Sequence, residues 1–273
     1  MSAALSVHHG PFGRAALYHL NRPFATHAHR EGHLIFSIAG APAMVRVDSE
    51  CHSLTPSQGV AVNAWQPHSF HPGDGASLIF VVYFDHGWFA RNGQPVCGQP
   101  NFARNRIECD LRIAELIDRA YGLLKTVDGG KLLDDTLHEL AVACLLQSGK
   151  RVDTVGEAPG RADNVRDFRI RKSIKFMQHR LRDSLVLDHV ARESGLSRPH
   201  FFKLFRENTG LTPNVFLNTL RVENSLDRLL KSEETITVIG LDLGFASQAS
   251  FTRFFASNVG IAPTEYRRAA RGH

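Results

Sequence analysis

Leu187–Pro213 reads L-D-H-V-A-R-E-S-G-L-S-R-P-H-F-F-K-L-F-R-E-N-T-G-L-T-P, and Ile236–Pro263 reads I-T-V-I-G-L-D-L-G-F-A-S-Q-A-S-F-T-R-F-F-A-S-N-V-G-I-A-P. The two stretches are copies of one pattern. Gly195, Phe201, Phe205, Gly210 and Pro213 correspond to Gly244, Phe251, Phe255, Gly260 and Pro263, and the second copy carries one extra residue, Ala246, in its first turn. A repeated unit of this kind is the first thing to read in a chain, because neighbouring copies share out the burial of their apolar faces.

In each copy a short amphipathic helix runs up to a glycine, the residue that tolerates the left-handed conformation after a helix. Ser197 and Ser247 stand where the next helix needs an N-cap. Pro199 falls in the first turn of its helix, where a missing N–H costs little. The phenylalanines are four apart and share one helix face. The spacing therefore predicts helix, tight turn, helix, twice over, which is a double helix-turn-helix arrangement. Between the copies, Thr212 and Pro213 open a helix whose apolar face is Val215, Phe216, Leu220, Val222, Leu226, Leu229 and Leu230. A helix over Pro213–Lys231 spans roughly 28 Å at 1.5 Å per residue. That is close to the roughly 34 Å of one duplex turn, so two recognition helices on this spacer can enter successive major grooves.

The residues off the Phe201/Phe205 face are Arg198, Pro199, Phe202, Lys203 and Arg206; off the Phe251/Phe255 face they are Gln248, Ala249, Thr252 and Arg253. Arg and Lys suit guanine edges or phosphates, Gln suits adenine, and apolar groups suit the thymine methyl. Arg206 reads as a solvated or phosphate-facing charge before a base reader, and Phe202 is divided between core packing and methyl contact. Ser197 and Ser247 are caps first, although a capped N-terminus also accepts a phosphate. From Arg161 to His273 there are 19 Lys+Arg against 12 Asp+Glu, in a chain of net charge +5. The C-terminal part is the basic half, as a partner of a polyanion should be.

The stretch from about Phe168 to Arg268 resembles the DNA-binding domain of the AraC/XylS family of transcription regulators. The resemblance is carried by Ile236/Ile239, Gly244-Phe245-Ala246-Ser247, Phe251-Thr252-Arg253-Phe254-Phe255, Gly260-Ile261-Ala262-Pro263 and Tyr266-Arg267. Ala256 departs from the pattern, which has a lysine there. The resemblance implies double-stranded promoter DNA and RNA polymerase as partners, and activation as the direction of control.

Residues 1–100 carry short runs rich in Val, Ile and Phe at Ala15–Leu20, Leu34–Ile38, Ala43–Val47, Gly59–Asn63 and Ser77–Phe84, separated by turn residues that include Gly40-Ala41-Pro42 and His71-Pro72-Gly73-Asp74-Gly75. Such spacing predicts a β-sandwich or barrel. From Cys109 the period becomes helical, with a break at Gly129-Gly130, and predicts an antiparallel helical hairpin that is either a cover for the barrel or a dimer surface. Gly149 to about Asp167 is polar and aperiodic, an interdomain linker. The expected fold is α+β in two domains: residues 1–150 a barrel with the hairpin, 151–167 the linker, and 168–273 the all-α double helix-turn-helix domain.

The barrel half contains Thr26-His27-Ala28-His29-Arg30-Glu31-Gly32-His33 and later Pro67-His68-Ser69. Alternation along a strand puts His27 and His29 on one face. The pattern resembles the cupin barrel, whose metal form uses His-x-His, a Glu about four residues on and a later His; here His33 takes the Glu place and His68 fits the later His. His27, His29, His33 and His68 are candidates to hold a divalent transition metal such as zinc or nickel. They are also candidates to line a metal-free pocket for an organic effector, or to be partly exposed loop residues. Glu31 reads as a solvated turn residue and an alternative ligand. Trp65, Tyr83 and Trp88 read as barrel packing before pocket lining.

Four cysteines without paired spacing read as free thiols. No signal pattern or membrane-length apolar run is present, which points to the cytoplasm. The leading expectation is a homodimeric transcription regulator answering to a small effector in the barrel. The alternatives are a metal-dependent cupin enzyme with an accessory helical domain, and a DNA-binding protein with a purely structural barrel.

Overall fold

A computed structural model describes residues 2–85, 88, 101–125, 130–149, 165–181 and 186–271. Most of the expected linker, and with it Gly129 and Cys97, lies outside the described residues.

The N-terminal half is built on two antiparallel sheets. The larger contains β1 (Ala3–Gly10), β2 (Gly13–Leu20), β3 (Gly32–Gly40), β6 (Gln58–Val62), β8 (Ser77–Phe84) and β9 (Arg106–Glu108), in the order β1-β2-β8-β3-β6-β9. The smaller is β4 (Ala43–Val47), β5 (Glu50–Leu54) and β7 (His68–Pro72), in the order β5-β4-β7. The five apolar runs are strands, as expected. His71 and Pro72, expected in a turn, instead close β7, where Met44 and Ala43 of β4 pair with them.

The central strands of the larger sheet are buried on both faces, and period-two alternation sorts their side chains. Ala15 and Leu17 of β2, Leu34 and Phe36 of β3, and Phe80, Val82 and Phe84 of β8 face outward. They are covered by helices α1 (Leu111–Leu123) and α2 (Gly130–Ser148), through Ile113, Leu116, Ile117, Leu137, Leu140 and Ala141. The hairpin is therefore a cover for the sheet. Asp110 caps α1 by accepting from the Ile113 N–H at 2.9 Å.

The opposite face of the same strands carries Ala16, Tyr18, Leu20, Ile35, Ile79, Val81 and Tyr83. It shares one apolar core with the C-terminal helices.

The C-terminal half comprises α3 (Phe168–His179), α4 (Leu187–Glu193), α5 (Arg198–Thr209), α6 (Pro213–Lys231), α7 (Ile236–Asp242), α8 (Gln248–Val259) and α9 (Pro263–Arg271). The two helix-turn-helix units are α4–α5 and α7–α8. Their turns use Gly195 and Gly244 at φ 70° and 81°, the left-handed region that glycine occupies without strain. Phe201, Phe205, Phe251 and Phe255 are fully buried. Thr212 caps α6, with Pro213 at its first position.

Ser247 makes a reciprocal capping box with Ser250 at the start of α8. Ser197 occupies the matching place before α5 with extended backbone but no side-chain cap bond. Pro199 has no N–H to offer, and the Ser197 hydroxyl does not reach the next one.

The barrel grips both units. Trp65 stacks on Phe216 of α6 with centroids 5.0 Å apart and planes 13° from parallel, and joins the core of the first unit. Thr219 Oγ1 donates to the Ala28 carbonyl at 3.1 Å. At the second unit, the Ala25 N–H donates to the Ser257 carbonyl at 3.2 Å, and the Phe24 ring lies over Gly260.

Candidate functional site

The pocket between barrel and helices begins with strand register. β2, β8 and β3 are neighbours, and Arg14 pairs with Tyr83 while Tyr83 pairs with His33. Register therefore lays Arg14, Tyr83 and His33 in one cross-strand row on the inner face. The Arg14 guanidinium lies 3.8 Å from the Tyr83 ring centroid, and the His33 ring stacks on Tyr83 at 4.9 Å.

His27 and His29 come to this row from the segment before β3. It is not a regular strand. His27 forms an isolated antiparallel bridge with His68, each N–H donating to the other's carbonyl at 2.9 Å. The extended backbone keeps the alternation, so His27 and His29 turn inward and Ala28 turns toward α6. The four imidazoles are all buried. Nitrogens of His27, His29 and His68 all lie within 4.8 Å of one another. The His33 ring is adjacent, 4.7 Å from His68 and 5.0 Å from His29 between centroids, but stands outside that trio.

Two tautomers follow from backbone contacts. His27 Nδ1 faces the Ala25 carbonyl at 2.8 Å and His68 Nδ1 faces the Gln66 carbonyl at 2.9 Å. A carbonyl only accepts, so each Nδ1 carries the proton and each Nε2 keeps a lone pair. Burial lowers the His27 pKa to about 4. Burial, then the neighbouring imidazoles, hold His29, His33 and His68 well below the usual range. At neutral pH the cluster is uncharged, the state in which imidazole ligates metals.

Charge enters from the sides. Arg14 is buried, and its Nη1 donates to the Tyr266 hydroxyl of α9 at 3.2 Å. Glu223 of α6 approaches His29, with Oε1 3.8 Å from Nδ1. Burial raises the Glu223 carboxyl, and burial plus the Glu223 charge raise Glu31 to about 7. Glu31 is thus not the solvated residue the sequence implied; it is half-buried beside Arg14 and Glu223.

The cavity itself is about 40 Å³. Its polar end is Arg14, Tyr18, Tyr83 and the four histidines. Leu20, Ile35, Val45, Ile79 and Val81 form the apolar wall, and Leu226, Asn258 and Val259 close it from the C-terminal half. Of the three aromatic candidates, Tyr83 lines the cavity, Trp65 packs on α6, and Trp88 packs on Phe12 and Phe84. Sequence reasoning missed Arg14 and Tyr18 of the cavity lining, and Glu223 and Tyr266, which contact His29 and Arg14. An arginine inside an otherwise apolar strand, G-R-A-A-L-Y, was the available signal for the first.

The DNA-facing candidates lie on the surface. Ser197, Arg198, Pro199, Lys203 and Arg206 are exposed, while Phe202 is half-buried with the Arg198 guanidinium 5.1 Å from its ring centroid. Arg198 is also paired with Asp188 of α4. In the second unit, Ser247, Gln248, Ala249 and Arg253 are exposed and Thr252 is half-buried. Thr237 donates to the Gln248 side-chain oxygen at 2.5 Å, which orients the amide from behind.

Comparison with known proteins agrees with this geometry. The model of an AraC-like ligand binding domain matches residues 11–142, and that of a helix-turn-helix domain matches residues 190–269. The TetD protein of transposon Tn10 from Escherichia coli is 34% identical over 99 residues, 36% of this chain and 72% of that protein. An uncharacterized HTH-type transcriptional regulator of Haemophilus influenzae is 19% identical over 241 residues, 88% of this chain and 79% of its own. The fold is similar to that of ToxT from Vibrio cholerae solved with an unsaturated fatty acid bound, with a TM-score of 0.60 at 16% identity over 95% of this chain and 96% of ToxT. The chain belongs to the AraC/XylS family of transcription regulators, with an AraC-type ligand-binding domain ahead of a double helix-turn-helix DNA-binding domain.

Proposed function

We propose that this regulator reads promoter DNA with α5 and α8, and that a small effector in the junction cavity controls how the two helices are presented. One observation carries the reading: α8 uses opposite ends for two tasks. Gln248, Ala249 and Arg253 are exposed, whereas Asn258 and Val259 close the cavity. A molecule that fills or empties the cavity touches α8 from behind and α6 beside it. Such a ligand shifts the arrangement only by its difference in affinity between the two states.

Lys203, Arg206 and Arg253 supply phosphate or guanine contacts, Arg198 anchors with them, and Gln248 supplies an amide suited to adenine. Ala249, Thr252, Pro199 and Phe202 complete the faces with apolar contacts. Ser197 and Ser247 mark helix N-termini suited to phosphate.

The effector chemistry follows from a split lining, cationic and imidazole at one end and aliphatic at the other. An organic ligand of ordinary size needs roughly 300 Å³ or more. The present cavity is about 40 Å³, so such a ligand enters only as the domains part. The fatty acid in ToxT has the same split chemistry and supports an amphipathic anion as effector class. A metal ion fits the cavity as it stands, and the trio of His27, His29 and His68 favours zinc or nickel there. Bound, such an ion supplies a Lewis-acidic anchor for an anionic group.

Activation through RNA polymerase is the direction that the family membership supports. A homodimer through the outer side of the hairpin is supported by exposed Leu111, Leu132 and Leu146. Among the described residues no helix is long and apolar enough to cross a membrane, in keeping with a cytoplasmic regulator. The relatives named as regulators support regulation over catalysis.

A genome-wide footprint of the full-length protein tests the reading. Discrete promoter sites are expected, with occupancy altered by His29→Ala. Diffuse occupancy, or sites indifferent to that variant, would contradict it.

A further inference from the structure

We propose that His27, His29 and His68 form a divalent-metal site whose third imidazole is oriented by Glu223 of the DNA-binding half, so that metal binding draws α6 onto the barrel. The inference rests on the reading of the junction cavity as the effector site, and names the regulation of that site.

His27 and His68 each point Nδ1 at a backbone carbonyl, Ala25 at 2.8 Å and Gln66 at 2.9 Å, and so offer Nε2. His29 has no carbonyl in that place. Its Nδ1 faces Glu223 Oε1 at 3.8 Å, and both atoms are buried without a hydrogen-bond partner among the described residues. A carboxylate there does for His29 what the carbonyls do for the other two: it fixes the tautomer and raises the basicity of the ligating nitrogen. Three imidazoles with an open fourth position are a donor set that zinc accepts. A cavity of about 40 Å³ admits an ion with a water, since one water needs about 10–15 Å³.

The coupling follows from the gap. At 3.8 Å the Glu223 contact is longer than a hydrogen bond. A cation on the far nitrogen of His29 draws electron density from the ring and makes Nδ1–H a stronger donor, which favours closing that gap. Glu223 lies on α6 between Thr219, bonded to Ala28, and Leu226, which walls the cavity. The movement is therefore one of the DNA-binding half against the barrel. Glu223 acts through His29 and is a positioning residue.

The test uses tag-free full-length protein. Zn²⁺ is titrated against a chromophoric chelator, and Co²⁺ by visible absorption. Wild type should bind about one ion per chain and His27→Ala with His68→Ala none. Glu223→Ala should bind about 10–100-fold more weakly with unchanged Co²⁺ band positions. Glu223→Gln, which keeps an acceptor for Nδ1–H, should fall between, and thermal melts establish that each variant is folded. No metal on wild type, equal affinity in Glu223→Ala, or Co²⁺ bands that move in that variant would each overturn the proposal. The last result would make Glu223 a direct ligand. DNA affinity of the same samples separates the two readings: Glu223-dependent metal binding that leaves DNA affinity unchanged counts against the effector reading and leaves the metal site standing.

Discussion

Arg14 and Tyr266 join the second strand of the barrel to the last helix of the DNA-binding half: Nη1 of Arg14 donates to the Tyr266 hydroxyl at 3.2 Å. That hydroxyl also lies 3.1 Å from Nε2 of His9. Since Arg14 can only donate, the Tyr266 proton is free to go to His9, and β1, β2 and α9 share one bond chain, buried at Arg14 and Tyr266 and open to solvent at His9. Tyr266→Phe leaves the Arg14 guanidinium short of an acceptor. The expected cost is about 1–3 kcal/mol of stability, read by urea unfolding. Equal midpoints for variant and wild type would show that the chain bears no load between the halves.

Two glycines in equivalent places separate strain from contact. Gly210 and Gly260 end α5 and α8 at φ 74° and 86°, so alanine is strained at both by about 1–2 kcal/mol. Among the described residues a Cβ at Gly210 meets nothing within 4 Å, whereas one at Gly260 comes within 2.1 Å of the Phe24 ring. Gly260→Ala should lose more stability than Gly210→Ala, and Phe24→Ala should recover the difference. Identical losses at the two positions would contradict the docking of Phe24 on α8.

The DNA faces predict a division of labour. Lys203→Ala combined with Arg253→Ala should weaken operator binding by about 1–3 kcal/mol for each contact that reads a base. A contact to phosphate instead lowers the salt slope by about one. The salt-dependent loss should be larger for variants of α5, with Arg198, Lys203 and Arg206, than for α8, with Arg253. Unchanged affinity at fixed salt would remove these helices from the interface.

Asp167 gives a pH signature at the start of the DNA-binding half. It caps α3 through the Arg169 N–H at 2.8 Å and pairs with the Arg169 guanidinium, which lowers its pKa from 3.8 to about 2. A carboxylate depressed by folding stabilises above its unfolded pKa and loses that contribution as pH falls through the folded one. Asp167→Ala should therefore cost about 1 kcal/mol at pH 7, a difference that shrinks between pH 4 and pH 2. Urea midpoints of both proteins across that range check it.

The helical half was legible because its information is local. Gly195, Gly244, Thr212, Pro213 and the phenylalanine pairs each fix a turn, a cap or a face within a few residues. Ser197 takes the expected N-cap position but makes no side-chain cap bond, since Pro199 removes one of the N–H groups it would reach. β1, β5, β7 and β9 escaped notice for a different reason. E-C-H-S-L, H-S-F-H-P and R-I-E carry too few apolar residues to show alternation, A-A-L-S-V-H-H-G has an irregular register between Ala4 and Ser6, and pairing with neighbours makes all four strands. In the site, the histidines were visible by spacing. Glu223 was not, because on an amphipathic helix a glutamate reads as solvated until the barrel is seen against it.

In the proposed function two recognition helices on one spacer read DNA as a pair. Selection of bound sequences from random duplexes by the purified full-length protein tests it most directly. A bipartite motif is expected, with half-sites about 10 bp apart, in which Lys203→Ala relaxes one half and Arg253→Ala the other. A single uninterrupted half-site, or no enriched sequence at all, would contradict it.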